Sequence, residues 1–252
     1  MRSTVVAVSE IPPLDHEEAM TLAEAEYGRL LEVVEGLTPE DWGRPTECPG
    51  WDVKAMLAHL LGMMQRLADP EEQARQNAAA GQRLHAAGGT FIDALTALQV
   101  EQNEPLTPDE LTAALRAAAR AALAGRRRTT PAERAEPFDP GPPFAARPWT
   151  IGYLLDVIQT RDPWMHRIDI ARATGTDPVL TSDHDGRLVA DVVANWARLH
   201  GQPFTLVLGG PAGGAFSAGG GGEHYELDAV EFCRILSGRG SGRGLLNQEV
   251  PF

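Results

Sequence analysis

The chain has 252 residues, a formal net charge of -13 and a hydrophobic content of 43%. This length suits one large domain or two modest ones, and so acidic a surface repels phosphate, so we expect no nucleic-acid partner. No apolar run approaches the roughly 20 residues that a membrane span needs, and the N-terminus makes a poor signal peptide, so we expect a cytoplasmic protein.

Helical periodicity dominates the first two thirds of the chain. Apolar residues recur at helical spacing in five stretches, which are residues 16–37, 52–67, 91–100, 107–123 and 150–174. This pattern predicts a bundle of four principal helices with long connections over residues 14–175, and facing helices of a bundle can build a site. Residues 70–90 are polar and rich in alanine and glycine, and the pattern leaves their structure open.

The fourth stretch ends in residues with ordinary structural explanations. Gly125 is predicted to close the helix that starts at Thr107. Arg126, Arg127 and Arg128 follow, and basic residues there suit the negative end of a helix. Prolines then recur through residues 126–148, which predicts a long surface loop. They are Pro131, Pro137, Pro140, Pro142, Pro143 and Pro148.

The pattern changes after Asp177–Pro178. A helix is predicted to run to His200, and the apolar residues 203–208 predict a strand. Residues 215–218 and 223–227 can pair with it, and a short helix follows. We therefore predict a small α+β domain with an antiparallel sheet at residues 178–252. Residues 1–13 are predicted to be an extended lead-in, and the fold class is mainly α.

Polar residues at helical spacing indicate a metal site in the bundle. Asp162 and His166 are four residues apart, so on a helix they share one face. His59 lies at the edge of an earlier apolar stripe, where it can face a crevice between helices. Two imidazoles and one carboxylate suit zinc or another divalent metal and leave a position open. The alternative is structural, because Asp162 precedes Pro163 and this pair also starts helices.

Three segments resemble the signature regions of the mycothiol-dependent maleylpyruvate isomerase family. They are DWGRPTECPGWDVKAMLAHLLG, RDPWMHRIDIARATG and DAVEFCRILSGRGSGRGLLNQEVPF. The resemblance spans nearly the whole chain and implies a DinB-like four-helix metalloenzyme bundle followed by a smaller α+β domain. It carries the family's zinc ligands onto His59, Asp162 and His166. Asp162 stands where the isomerase has Glu, so its side chain is shorter.

The resemblance implies thiol chemistry with mycothiol as the cosubstrate. The thiolate is the nucleophilic form of a thiol, and it would add to a small electrophile. In the isomerase, addition to the double bond of maleylpyruvate permits rotation, and elimination then gives fumarylpyruvate. A transferase relative would stop at the conjugate, so both isomerase and S-transferase activity are expected possibilities.

The resemblance also suggests residues that support the reaction. Family members use an arginine from the C-terminal region, so Arg234 and Arg239 are candidates to bind an acidic substrate. A structural pairing of Arg234 with Glu231 is the alternative. Asp169 and Arg172 are candidates to brace the metal ligands, or else they form an exposed ion pair.

The cysteines and tryptophans have mainly structural interpretations. Cys48 and Cys233 are far apart in the sequence, so no disulfide is expected, and Cys48 reads as a packed loop thiol. Trp51, Trp149 and Trp164 are candidates to line the pocket, although aromatic residues at helix junctions are usually core.

A second hypothesis belongs to another functional class. The chain would then be a non-catalytic metal- or ligand-binding or regulatory module on the same fold. The Asp162–Pro163 pair at the ligand position motivates it. The sequence does not indicate the oligomeric state, the electrophile or which metal binds.

Overall fold

The structure, a computed structural model, describes residues 4–142, 144 and 149–252. These residues form two compact units. One unit is helical and runs from His16 to Pro178, and the other combines residues 4–15 with Val179–Phe252. The fold is mainly α with a smaller α+β part, which confirms the predicted fold class. The lead-in predicted at residues 1–13 is instead joined, from residue 4, to the α+β unit.

Helices make up most of the described chain. The α-helices are α1 (His16–Glu35), α2 (Val53–Ala68), α3 (Pro70–Ala87), α4 (Phe91–Asn103), α5 (Pro108–Arg128), α6 (Pro131–Ala135), α7 (Ile151–Tyr153), α8 (Gln159–Thr174), α9 (Asp185–His200) and α10 (Ala229–Leu236). A π-helical turn, Leu154–Ile158, joins α7 to α8. None of the helices among the described residues is both long and apolar enough to cross a membrane.

Four helices form the centre of the helical unit. α2 packs on α5 and α8, and α1 packs on the same two helices. Their buried apolar faces meet in one cluster, to which Leu30, Leu57, Leu115 and Ile170 each contribute from a different helix. This is the predicted four-helix arrangement, and α3 and α4 pack against α2 beside it.

A buried ion pair fixes α8 against α1. Arg167 Nε donates to Glu26 Oε1 at 2.6 Å, and its Nη2 donates to Oε2 at 3.0 Å. Bidentate pairs of this kind restrict orientation as well as distance. The pair therefore sets the rotation of the helix that carries Asp162 and His166.

One stretch of the helical unit was left open by the sequence, and another differs from the prediction. Residues 70–90 contain α3, which has Pro70 in its first turn. Gly125 does not close α5, which continues to Arg128. A Cβ atom at Gly125 would lie 1.9 Å from the carbonyl oxygen of Leu67, so the glycine permits a close approach of α5 to α2.

The long loop predicted at residues 126–148 contains regular structure. Thr130 caps α6 and forms a capping box with Glu133, and Pro131 occupies the first turn. Two short strands, β2 (Pro137–Phe138) and β3 (Trp149–Thr150), then pair antiparallel. Of the prolines that suggested a loop, Pro143 and Pro148 lie outside the described residues.

The α+β unit is built on a four-stranded sheet. Its strands are β1 (Val5–Ala7), β4 (Phe204–Gly209), β5 (Gly214–Ala218) and β6 (Glu223–Asp228), in the order β1-β5-β4-β6. β4 and β5 are antiparallel, but β1 runs parallel to β5 and β6 runs parallel to β4. The predicted antiparallel sheet is therefore wrong, and the sheet is mixed.

The glycine run between β5 and β6 explains the parallel pairing of β6 with β4. The connection crosses the start of β4 instead of turning back along β5. Gly222 has φ +87°, and a Cβ atom there would lie 1.9 Å from the carbonyl oxygen of Pro203. Only glycine permits this approach and this conformation together.

Candidate metal centre

The facing surfaces of α2 and α8 bring together the three residues predicted to bind metal. His59 lies on α2, which begins after Asp52, whose carboxylate caps the helix by accepting from the backbone N–H of Ala55 at 2.8 Å. Asp162 and His166 lie one turn apart on α8. The shared face that their spacing indicated is therefore present.

The side-chain donor atoms converge on one point. Asp162 Oδ2 lies 3.6 Å from His59 Nε2, and Asp162 Oδ1 lies 3.4 Å from His166 Nε2. Candidate ligand atoms of the three residues all lie within 4.8 Å of one another. Bonds of about 2.0–2.2 Å to a tetrahedral zinc would place neighbouring ligand atoms about 3.3–3.6 Å apart. The two separations that involve Asp162 match that requirement.

Each imidazole turns its other nitrogen to a buried acceptor. His166 Nδ1 lies 3.0 Å from Asp169 Oδ2, and His59 Nδ1 lies 2.8 Å from Gln99 Oε1. Because both partners accept, each Nδ1 carries a hydrogen, and each Nε2 faces Asp162. Partners of this type hold metal-binding histidines in the correct tautomer and orientation.

A chain of amides fixes the orientation of Gln99. Gln99 Nε2 donates to Gln76 Oε1 at 3.0 Å, so its oxygen is the atom left for His59. Gln76 Nε2 in turn donates to the carbonyl of Gly62 at 3.0 Å and to Glu72 Oε1 at 2.8 Å. Both glutamines are buried, so α3 and α4 together support the His59 imidazole on α2.

Sequence reasoning missed these two glutamines. Gln99 lies one turn after Leu95 and extends the buried face of α4, and Gln76 precedes Ala80 in the same way on α3. A polar residue on an apolar helical face is a usable signal, because burial requires that it find a hydrogen-bond partner.

Burial and the neighbouring charges act in opposite directions at the centre. Burial alone would raise the pKa of Asp162 and lower the pKa of His166. The charge of His166 and its hydrogen bond, together with the nearby His59 imidazole, outweigh burial and lower the pKa of the Asp162 carboxyl below its usual range. Likewise, Asp162, Asp169 and Cys48 raise the pKa of His166 well above its usual value. Asp162 is therefore ionised at neutral pH, as a metal ligand must be.

One oxygen of Asp162 has an environment that suits a cation. Oδ2 is buried, and no group in the described part of the chain donates a hydrogen bond to it. Its neighbour is His59 Nε2, which bears a lone pair when the ring hydrogen is on Nδ1. Two electron-rich atoms that face each other in a buried site are stabilised by a cation between them. The donor set of two imidazoles and a carboxylate therefore fits a divalent metal.

Asp162 does not cap a helix. Thr150 caps the start of α7 by accepting from the N–H of Tyr153 at 3.0 Å, and the helical chain continues through the π-turn into α8. Asp162 and Pro163 lie inside that continuous segment. The alternative in which Asp162 starts a helix is therefore wrong, and its side chain is directed to the imidazoles.

The loop before α2 forms a wall of the centre. Thr46 N donates to the carbonyl of Trp51 at 3.0 Å, and Gly50 adopts φ +81° in the turn between them. The closed loop places the Trp51 ring 5.1 Å from the His59 ring and 6.2 Å from the His166 ring, measured between centroids. Trp51 is thus the tryptophan that contacts the centre.

The other two candidate tryptophans also belong to the helical unit. Trp164 is fully buried in the core. Trp149 packs against Phe138, Phe144 and Tyr153, with centroid distances between 5.1 and 6.2 Å.

Cys48 lies behind the centre. Its Sγ is 3.9 Å from Asp169 Oδ2, and Cys48, His166 and Asp169 also place possible ligand atoms within 4.8 Å of one another. The Nδ1 of His166 is already bonded to Asp169, while its Nε2 faces Asp162. Cys48 packs against the bundle core, as expected for a packed loop thiol.

The remaining predicted site residues have other surroundings. Arg172 lies at the surface, where its Nε donates to Glu47 Oε1 at 3.3 Å. Arg234 and Arg239 belong to the α+β unit. Arg234 is buried, pairs with Glu231 and donates through Nη2 to the carbonyl of Arg239 at 3.3 Å. Asp169, one of the predicted supporting residues, contacts His166 directly through Nδ1.

Two crystal structures share this fold over most of their length. One is of the mycothiol-dependent maleylpyruvate isomerase, with a TM-score of 0.59, and the other is of its histidine-to-alanine mutant, with a TM-score of 0.58. The identity is 17% in both cases, and each match covers 90% of this chain and 91% of the other. At this identity the likeness shows the fold alone. The comparison with curated proteins found no match.

A family model also matches the sequence. It is described as the mycothiol maleylpyruvate isomerase N-terminal domain and covers residues 23–171. The matched range contains His59, Asp162 and His166, whereas Arg234 and Arg239 lie beyond it. Because the match spans more than half of the 252 residues, the chain belongs to the family of the mycothiol maleylpyruvate isomerase N-terminal domain.

Proposed function

We propose that the protein is a metal-dependent enzyme that uses mycothiol to add a thiol to a small electrophile. Isomerisation of a maleylpyruvate-like substrate is the first reaction to test, and S-transfer is the second. The observation that carries this proposal is the convergence of His59 Nε2, the Asp162 carboxylate and His166 Nε2 on one point. Family membership and the names of the structural relatives supply the thiol and the substrate class.

The chain's own groups define what the centre can do. His59, Asp162 and His166 would hold the metal through three protein donors, which leaves a further position for a ligand. Zinc bound there would supply positive charge that favours the thiolate of mycothiol, the nucleophilic form. Asp169 and Gln99 hold the two imidazoles in the ligating tautomer.

Trp51 has a separate part in the proposal. Its ring lies against both imidazoles, so it excludes water from one side of the donor atoms. A drier site strengthens the interaction between a cation and a thiolate. We therefore propose that Trp51 shields the face of the centre on which it packs.

An activity assay that also measures the concentration of free thiol tests the proposal and separates the two reactions. The purified, zinc-loaded protein is incubated with mycothiol and maleylpyruvate, and both fumarylpyruvate and free thiol are measured. Isomerisation forms fumarylpyruvate and leaves the thiol concentration unchanged, because elimination returns the thiol. S-transfer, tested with a panel of electrophiles, consumes one thiol per electrophile. We expect His166→Ala to abolish either reaction.

The same experiment addresses the non-catalytic alternative. A zinc-loaded protein that neither isomerises maleylpyruvate nor consumes thiol with any electrophile would contradict the proposed enzyme. It would favour the metal- or ligand-binding module. The roles of Arg234 and Arg239 stay predictions, and an increase in KM for an acidic substrate on Arg239→Ala would support one of them.

A further inference from the structure

Pro163 interrupts the hydrogen bonding of the helix that carries the metal ligands. It directly follows Asp162 and has no backbone N–H, so the carbonyl of Gln159 lacks its usual donor four residues on. The turn just before it, Leu154–Ile158, is π-helical, and the N–H of Gln159 bonds to the carbonyl of Leu154. A wider turn at this point gives the proline ring room.

Arg126 reaches the interrupted turn from α5. Its Nη1 donates to the carbonyl of Gln159 at 3.2 Å, and its Nη2 donates to Thr160 Oγ1 at 2.6 Å. Thr160 Oγ1 passes its own hydrogen to the carbonyl of Asp156 at 2.8 Å. The guanidinium therefore replaces the missing N–H at the Gln159 carbonyl and also holds the next residue, Thr160.

The surroundings of Arg126 differ from those of an ordinary buried arginine. Only 1% of the residue is exposed, yet no carboxylate of the described residues pairs with it. Its remaining contact is with the hydroxyl of Tyr27, at 3.4 Å. A buried guanidinium costs free energy unless its donors find acceptors. Here the freed carbonyl and two hydroxyls accept from the Nη groups, while Nε has no hydrogen-bond partner among the described residues. Arg127, the next residue, instead forms a surface ion pair with Glu24.

We propose that Arg126 is a positioning residue for the metal centre. It supplies the Gln159 carbonyl with the donor that Pro163 lacks, and so holds the turn that directs Asp162 at His59 and His166. The inference rests on the proposed metal-dependent function. Small displacements matter because a ligand must stay close to its bonding position for a metal to bind tightly.

A double-mutant cycle with zinc affinity as its readout tests the inference. Arg126→Met removes the donor, and we expect it to weaken zinc binding about 10- to 100-fold, as loss of supporting partners does at other metal sites. Pro163→Ala returns an N–H that can serve the Gln159 carbonyl. In that background, Arg126→Met should cost about tenfold less in affinity. Arg127→Met, an exposed neighbour, should change affinity by no more than about twofold.

Additive effects of Arg126→Met and Pro163→Ala on zinc affinity would overturn the inference. A merely structural arginine would lower the free energy of unfolding of the metal-free protein without this coupling in affinity. If Arg126→Met does not fold, the cycle is run with Arg126→Lys. Lysine keeps the positive charge but lacks the two Nη groups that donate to Gln159 and Thr160. Non-additivity would again support the inference, and additivity would overturn it.

The readout separates this inference from the proposed enzyme. Zinc affinity, measured by competition with a chelator, involves neither mycothiol nor an electrophile. Suppose that the two substitutions are coupled but the wild-type protein turns over no substrate. That result would contradict the proposed enzyme and support the role of Arg126. If the wild-type protein turns over substrate but the two substitutions have additive effects on zinc affinity, the enzyme is supported and the role of Arg126 is overturned.

Discussion

The two imidazoles of the centre rest on partners of different charge. His166 has the carboxylate of Asp169 behind it, whereas His59 has the neutral amide of Gln99. A second carboxylate would add another negative charge close to the site where a thiolate is proposed to bind. The amide orients His59 without that charge, which favours an anionic ligand at the open position.

Substitution of Gln99 tests this support. Gln99→Leu removes the acceptor and leaves the Nδ1 hydrogen of His59 buried without a partner, so we expect zinc affinity to fall about 10- to 100-fold. Gln102→Leu is the matched control, because Gln102 lies on the same helix and bonds to Glu72 instead. Chelator competition measures both variants. Equal affinities in Gln99→Leu and wild type would refute the role of Gln99.

At the scale of elements, glycines in helices differ in what a methyl group would meet. A Cβ atom at Gly125 of α5 would overlap the Leu67 carbonyl oxygen of α2 at 1.9 Å, whereas one at Gly28 of α1 meets nothing within 4 Å. Gly125 therefore permits the close crossing of α5 on α2, the helix that carries His59, whereas Gly28 has no such role.

The two glycines therefore respond in opposite directions to the same substitution. Gly125→Ala should reduce the free energy of unfolding by about 1–3 kcal/mol or more, since the helices must separate. Gly28→Ala should increase it by up to about 1 kcal/mol, because alanine favours the helix. Urea denaturation of both variants measures the difference. A stabilised Gly125→Ala protein would contradict the close crossing.

The pairing of α3 with α4 depends on an ionised carboxylate. Glu72 accepts from Arg75 on its own helix and from Gln102 of α4 at 3.0 Å. The hydrogen bond from Arg75 is the main cause that lowers the pKa of Glu72 from 4.5 to about 2, against the effect of burial. A lowered pKa in the folded state means that ionised Glu72 stabilises the fold above pH 4.5.

This stabilisation should disappear as the pH falls from 4.5 towards 2. We expect it to be on the order of 2 kcal/mol, a value reduced for the half-exposed position of Arg75. The difference between the free energies of unfolding of wild type and Glu72→Gln should therefore be largest at pH 6 and become smaller as the pH falls through 4.5 towards 2. A difference that does not vary with pH would show that Glu72 acts only through neutral hydrogen bonds.

For the whole molecule, the sequence predicted the features that local patterns encode better than those that depend on long-range contacts. The helices and the shared face of Asp162 and His166 follow from periodicity within a few residues. His59 was indicated by its position at the edge of an apolar stripe, and the family resemblance supported it. Gln99 and Arg126 were missed, because their roles depend on which helix they face. Periodicity places Gln99 on the buried face of α4, but it does not show which side chain of another helix Gln99 meets.

The mixed sheet was missed for a related reason. β1 pairs with β5 between residues as far apart as Val5 and Ala215, and no local pattern encodes so distant a partner. Three residues, VVA, are also too few for alternation to indicate a strand. The crossing of β4 at Gly222 was equally hidden, although the glycine run marked its position.

Metal content, measured by elemental analysis, tests the central claim for the molecule as a whole. The wild-type protein is compared with His59→Ala, with His166→Ala and with His85→Ala, whose histidine is exposed on α3 away from the centre. We predict about one zinc per chain in the wild type and in His85→Ala, and its loss in the other two variants. A wild-type protein that holds no metal after reconstitution, or a metal that both centre variants retain, would contradict the assigned site.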